Sequence, residues 1–254
     1  MRTWLSLLIS LASGCASWLP APEPMLAVDA ERPGPRAACL MVFLPGGGDS
    51  ARSFEQHGFV QEVLRRDYSI DMVAADATLG YYTRGIFPER LARDVVRRRV
   101  LRGYKELWLV GPSMGGFGSL LYSRKAPQGE VSGVFALAPF LGAKPAIFDQ
   151  IKRDGGLAAW HAPAPRPVRE RDFEWELWRW LQARASNREP GPELYLGYGN
   201  EDRLAREGSL LAAALPQERV FTGPGGHNWR TWRRLFSEFL DRGPLRERCR
   251  DPRT

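Results

Sequence analysis

The sequence predicts an α/β domain, a mostly parallel, doubly wound sheet of about six or more strands with a helical insertion capping one edge. Three observations carry this expectation. Short apolar runs of strand length alternate with stretches of helical length from residue 38 to residue 242. Glycine-rich turns follow several of those runs, at Pro45-Gly46-Gly47-Gly48, Gly111-Pro112-Ser113-Met114-Gly115 and Gly225-Gly226. The alternation breaks once, over about 142–190, where prolines and tryptophans replace the strand pattern. A chain of 254 residues, 44% hydrophobic and 26% charged, suits one large globular core rather than a disordered segment.

The elements follow in order. Met1-Arg2-Thr3 is a short positive start, and residues 4–12 are mostly apolar. This reads as a signal peptide over 1–14, because so short a run cannot span a bilayer, which needs about 20 residues. Ala12-Ser13-Gly14 leads directly into Cys15, which resembles the lipobox of bacterial lipoproteins with its leucine one place early. That resemblance implies a lipidated Cys15, an anchor in the membrane of a bacterial cell envelope and a domain in the periplasm. The alternative is a plain secretory signal cleaved between residues 16 and 21. Five prolines within residues 15–37 then suggest a semi-rigid tether.

The expected strands lie at 39–44, 70–75, 106–110, 131–137, 194–196 and 219–221, with helices at 53–66, 88–101, 116–124, 202–215 and 229–240. Cys39-Leu40-Met41-Val42-Phe43-Leu44 is apolar without interruption, as in a strand covered on both faces. Strands alternating with helices imply right-handed crossovers and a parallel sheet. The insertion carries Trp160, Phe173, Trp175, Trp178 and Trp180, with a longest helix expected at 172–184. Trp175 and Trp178, three apart, share a helix side and either line a pocket or pack the insertion on the core. Residues 243–254 read as a tail.

The net charge is +7 and the isoelectric point about 9.7. Only four of the 36 basic residues are lysines, and the arginines are scattered. This is the signature of a GC-rich genome, and no nucleic-acid partner is expected. The run Arg97-Arg98-Arg99 reads as a solvated helix face. Three cysteines are an odd number for an exported chain. With Cys15 set aside for lipid, Cys39 and Cys249 either pair or leave Cys39 as a small buried hydrophobe.

The chemistry sits in the turns. Ser113 stands where an apolar strand runs into a helix, between glycines that leave room for a sharp turn. Such a turn lifts a hydroxyl to the carboxyl end of a sheet, at the positive end of a helix. A serine needs a base. His57 and His161 fall in a helix and in the insertion, whereas His227 opens a loop after the last strand. The base needs an acid to hold its tautomer. Asp202 is the first choice and Glu201 the second, both following the strand between Ser113 and His227. Asp202 also suits a helix N-cap.

The order Ser113, Asp202, His227, each just past a strand, resembles the α/β-hydrolase family over residues 38–242. The resemblance implies a serine esterase acting through an acyl-enzyme on Ser113, with His227 as base and Asp202 as orienting acid. It further implies an oxyanion hole from the amides of Gly47 and Met114, although Pro45 replaces the family's usual histidine before that loop. A lipid or small-molecule ester is the implied substrate. The same triad would serve an acyltransferase, and a non-catalytic envelope lipoprotein is the third reading. No metal-ligand or phosphate-loop spacing is evident, so no cofactor is expected, and a monomer is. The two antiparallel strands that lead the family fold are not evident before residue 38.

Overall fold

The computed structural model describes residues 19–30, 37–164, 173–186 and 188–250. Seven strands form one sheet: β1 Ala27–Ala30, β2 Cys39–Phe43, β3 Ile70–Ala75, β4 Glu106–Pro112, β5 Gly133–Leu137, β6 Glu193–Gly199 and β7 Val220–Gly223. Their spatial order is β1-β3-β2-β4-β5-β6-β7. All neighbours pair in parallel except β1, which runs antiparallel to β3 along the edge. The chain leaves β2 for β3 on one side and then crosses back to β4 on the other. Ligands of open α/β sheets bind at such a switch point, beyond the carboxyl ends of the strands.

Both faces of the sheet are covered, which is why β2 has no polar residue. Leu40 and Val42 join one core with Leu109, Val134 and Leu196. Cys39, Met41 and Phe43 join the other with Trp108, Phe135, Phe236 and Phe239. The second core is aromatic-rich, and Phe135 stacks on Phe239 with centroids 4.2 Å apart. The helix Trp229–Arg242 supplies much of it and is capped by Asn228, whose Oδ1 accepts from the Thr231 N–H at 3.0 Å.

Several elements differ from expectation. The helix foreseen at 53–66 is two short ones, Ser53–Gln56 and Phe59–Leu64, because Gly58 between them has φ +80°. The helix foreseen at 88–101 is Phe87–Arg90 and Arg97–Val100 joined through a π-helical stretch, Leu91–Val96. Within the basic run, Arg97 and Arg98 are exposed as expected, but Arg99 reaches β1 and donates to Asp29 at 2.7 and 2.8 Å.

The stretch expected as a tether is bound to the domain from Leu19 to Ala30. It contains β1, buries Met25 and donates the Met25 N–H to the buried Asp94 at 2.9 Å. The 243–254 stretch is likewise docked over its described part. Helix Leu245–Arg248 buries Leu245, and Cys249 forms a disulfide with Cys39 on β2. The signal peptide expected over residues 1–14 and the lipidated Cys15 lie outside the described residues.

The insertion is helical, with Pro145–Arg153 and Phe173–Ala185. Trp178 is fully buried and donates to the Leu141 carbonyl at 2.8 Å. It packs the insertion on the core rather than lining a pocket. Trp175 is half-buried and stacks on Trp160. The buried Glu174 carboxylate accepts from the N–H groups of Ala143 and Lys144 at 3.0 and 2.9 Å, which fastens this helix to the loop after β5.

Candidate active site

β4 delivers Ser113 to the carboxyl edge of the sheet, and helix Met114–Lys125 begins immediately after it. Ser113 has φ +53° and ψ −115°, a region that side-chain-bearing residues avoid. Three backbone hydrogen bonds hold it there. Its N–H donates to Leu137 at 2.8 Å, and its carbonyl accepts from Phe117 at 3.1 Å and Phe140 at 3.0 Å. The flanking glycines are steric necessities. A Cβ on Gly115 would overlap the Leu44 carbonyl, and one on Gly111 would run into the backbone of Gly115.

β6 and β7 deliver the other two residues. Asp202 Oδ1 and Oδ2 lie 2.8 and 3.0 Å from His227 Nδ1. The Asp202 side chain is fully buried, while that of His227 keeps 11% of its exposure. A buried carboxylate against one ring nitrogen fixes the imidazole orientation and directs the other nitrogen away from the acid. Asp202 Oδ1 also accepts from the Leu204 N–H at 2.8 Å. This is a local turn before helix Ala205–Ala212, whose N-cap position belongs to Leu204. The N-cap role foreseen for Asp202 is therefore not taken up.

The neighbouring acid does something else. The Glu201 carboxylate accepts from the Gly225 N–H, and the Glu201 N–H donates to the Gly225 carbonyl at 3.1 Å. With Asn200 N–H donating to Gly223 at 2.8 Å, these bonds tie the His227 loop to the end of β6. His57 and His161 lie apart from this pair. His57 stacks on Trp229 at 4.6 Å, and His161 is 89% exposed beside Asp154.

The glycine loop after β2 faces the elbow. A Cβ on Gly46 would come 3.8 Å from Ser113 Cβ, and one on Gly47 would come 3.9 Å from Met114 Cβ. The backbone of Gly47 thus runs beside the start of the helix Met114–Lys125. Gly47 is exposed and Gly46 buried. One supporting contact escaped the sequence reading. Trp229 Nε1 donates to Asp49 Oδ1 at 3.2 Å, which links the glycine loop to the helix just after His227. The signal was there in position: Asp49 directly follows Gly48, and Trp229 stands two residues after His227.

A sheet of this order, with a strained serine at its centre and a carboxylate-histidine pair beyond the next strands, defines an α/β-hydrolase. The chain belongs to the Esterase family, described as "Putative esterase", whose model matches residues 97–242. No curated protein matches it. Among solved structures, an S-formylglutathione hydrolase from Staphylococcus aureus aligns with a TM-score of 0.54 at 13% identity, covering 88% of this chain and 98% of that one. A ferulic acid esterase aligns at 0.54 and 15% identity, over 81% of this chain and 84% of that one. A fluorophosphonate-binding serine hydrolase of Staphylococcus aureus aligns at 0.51 and 11% identity, over 86% and 98%. At such identities the likeness is one of fold, and the family carries the class of activity, that of an esterase.

Proposed function

We propose that Ser113, His227 and Asp202 are the catalytic triad of this esterase and that the amides of Gly47 and Met114 form its oxyanion hole. Ser113 Oγ attacks the acyl carbonyl and passes its proton to His227 Nε2. The carbonyl oxygen, now negative, is met by the two amides. The C–O bond to the alcohol breaks, and His227 returns the proton to the departing oxygen. Water attacks the acyl-enzyme and gives a proton to His227, which passes that proton to Ser113 Oγ as its bond to the acyl carbon breaks and the acid leaves. Asp202 remains ionised throughout and stabilises the imidazolium. The single observation that carries this reading is the buried Asp202 carboxylate on His227 Nδ1 at 2.8 Å, two strands beyond the strained serine.

A fluorophosphonate probe tests it directly. The wild-type chain should label at Ser113, and Ser113→Ala should abolish labelling while leaving the melting temperature near that of wild type. Folded wild-type protein that fails to label overturns the assignment. We further infer that Cys15 carries lipid and fixes the enzyme to a bacterial envelope membrane with its domain in the periplasm. The support is the run of small residues entering that cysteine.

A further inference from the structure

Where the N-terminal segment leaves the domain decides which way an anchored enzyme faces. β1 is antiparallel, and its first residue, Ala27, pairs with Ala75, the last residue of β3. The chain therefore enters the sheet from the same edge as Ser113. Residues 19–26 continue along that edge. The Leu26 carbonyl accepts from the Asp76 N–H at 2.7 Å, Pro22 from Tyr81 Oη at 2.5 Å, Pro20 from Thr78 Oγ1 at 2.5 Å and Leu19 from Arg84 at 3.0 Å. The helix they grip, Leu79–Thr83, borders the glycine loop, since a Cβ on Gly47 would lie 3.8 Å from Leu79 Cδ2.

Cys15 precedes Leu19 by four residues. Four residues span at most about 14 Å when fully extended. A lipid on Cys15 thus keeps the bilayer surface within about 14 Å of Leu19, on the side where the chain meets the catalytic edge.

That edge has the matching charge. Arg52 and Arg203, on the loops after β2 and β6, and Arg230, in the first turn of the helix Trp229–Arg242 that follows β7, are exposed and make no ion pair among the described residues. The exposed acids nearest them in sequence are Glu55 and Glu201, of which Glu201 is engaged with the Gly225 N–H, and exposed Glu23 on the 19–26 stretch is paired with Arg90 at 2.9 Å. Leu26, 57% exposed, adds an apolar contact on the same stretch. Arginines at an anionic lipid surface attract it within a Debye length.

We propose that the catalytic edge docks on the anionic membrane that anchors the protein, so that the substrate is an ester carried in that bilayer rather than one diffusing in water. The proposal rests on the esterase reading and on the lipid at Cys15.

The test uses the full-length chain, matured with its own signal, in vesicles of phosphatidylglycerol and phosphatidylethanolamine. The readout is turnover of a long-chain ester dissolved in the vesicles, divided by turnover of a short ester in water. R52E/R203E/R230E should lower that ratio about tenfold or more at low salt, because three surface charges are reversed. R97E/R98E, at the far end of its helix, should leave the ratio within about twofold of wild type. Equal fluorophosphonate labelling rates establish that the variants are folded. An unchanged ratio in the triple variant, with lipid on Cys15 verified by intact mass, overturns the orientation and leaves the anchor standing. A mature wild-type chain without lipid overturns the anchor and the orientation together. A chain that neither labels nor hydrolyses either ester overturns the esterase reading instead.

Discussion

Asp202 and Glu201 are adjacent and both acidic, yet the fold separates their work: one carboxylate holds the imidazole and the other holds a backbone amide of the loop that carries it. Asp202→Asn should therefore reduce kcat by about 10³–10⁴ with little change in Tm, since tautomer control alone is lost. Glu201→Gln should cost far less, and a larger loss there in steady-state kinetics would reassign the acid. Gly47 offers a clean test of the oxyanion amides because a Cβ there meets nothing closer than 3.8 Å. Gly47→Pro, which deletes that amide donor, should lower kcat about 10²-fold or more with KM nearly constant, and an unchanged rate would remove the loop from that role. Ser113 itself is strained, and a strained non-glycine residue costs about 1–3 kcal/mol. Ser113→Gly should accordingly unfold at higher temperature than wild type while losing all turnover. At this scale the sequence was highly legible, because a serine, an acid and a histidine each stand directly after an apolar strand run. Asp49 and Trp229 were not, because a contact between residues 180 apart leaves no local pattern.

Elements were legible where burial is two-sided and obscure where it is not. β2 and β4 announce themselves as apolar runs, but β1 is four residues, Ala-Val-Asp-Ala, half in water on an edge and close to five prolines. Nothing in such a stretch distinguishes a strand from a linker until its partner β3 is known. The split at Gly58 and the π-helical stretch at Leu91–Val96 are also set by tertiary packing. The helices Phe59–Leu64 and Trp229–Arg242 are joined by charge: buried Glu62 binds Arg66 at 2.9 Å and Arg233 at 3.0 Å, and Arg66 binds Asp241 at 2.8 Å. Burial alone would raise the Glu62 pKa, but the arginine hydrogen bonds outweigh it and hold the carboxyl below its ordinary value. The Arg66 hydrogen bond likewise lowers Asp241. Depressed carboxylates stabilise the folded state above their unfolded values, near pH 4, and lose that contribution as pH falls through the folded ones. Thermal melts between about pH 5 and pH 2 should show wild type losing stability steeply and Glu62→Gln losing it less, from a lower starting Tm. Parallel slopes would exclude the cluster as the acid-sensitive joint.

For the whole molecule, the alternation of strands and helices predicted the parallel sheet, but not the order β1-β3-β2-β4-β5-β6-β7, because strand neighbours are set by tertiary packing and crossover handedness leaves them open. Pairing of Cys39 with Cys249 was one of two readings, since a cysteine in a fully buried strand looks the same bonded or free. The bond closes a loop across a sequence separation of 210 residues. In the chain-entropy model so long a loop contributes about 5 kcal/mol, an upper bound, so Cys39→Ala/Cys249→Ala should melt well below wild type under oxidising conditions. Equal melting temperatures would show that packing alone holds the C-terminal helix. The closure also makes the part of the molecule that holds the proposed triad a covalent ring, with Ser113, Asp202 and His227 all inside it. A protease that cuts once in the insertion severs the backbone without dividing the protein. The nicked enzyme should migrate as one band until a reductant is added, and only then separate into a fragment bearing the serine and a fragment bearing the histidine.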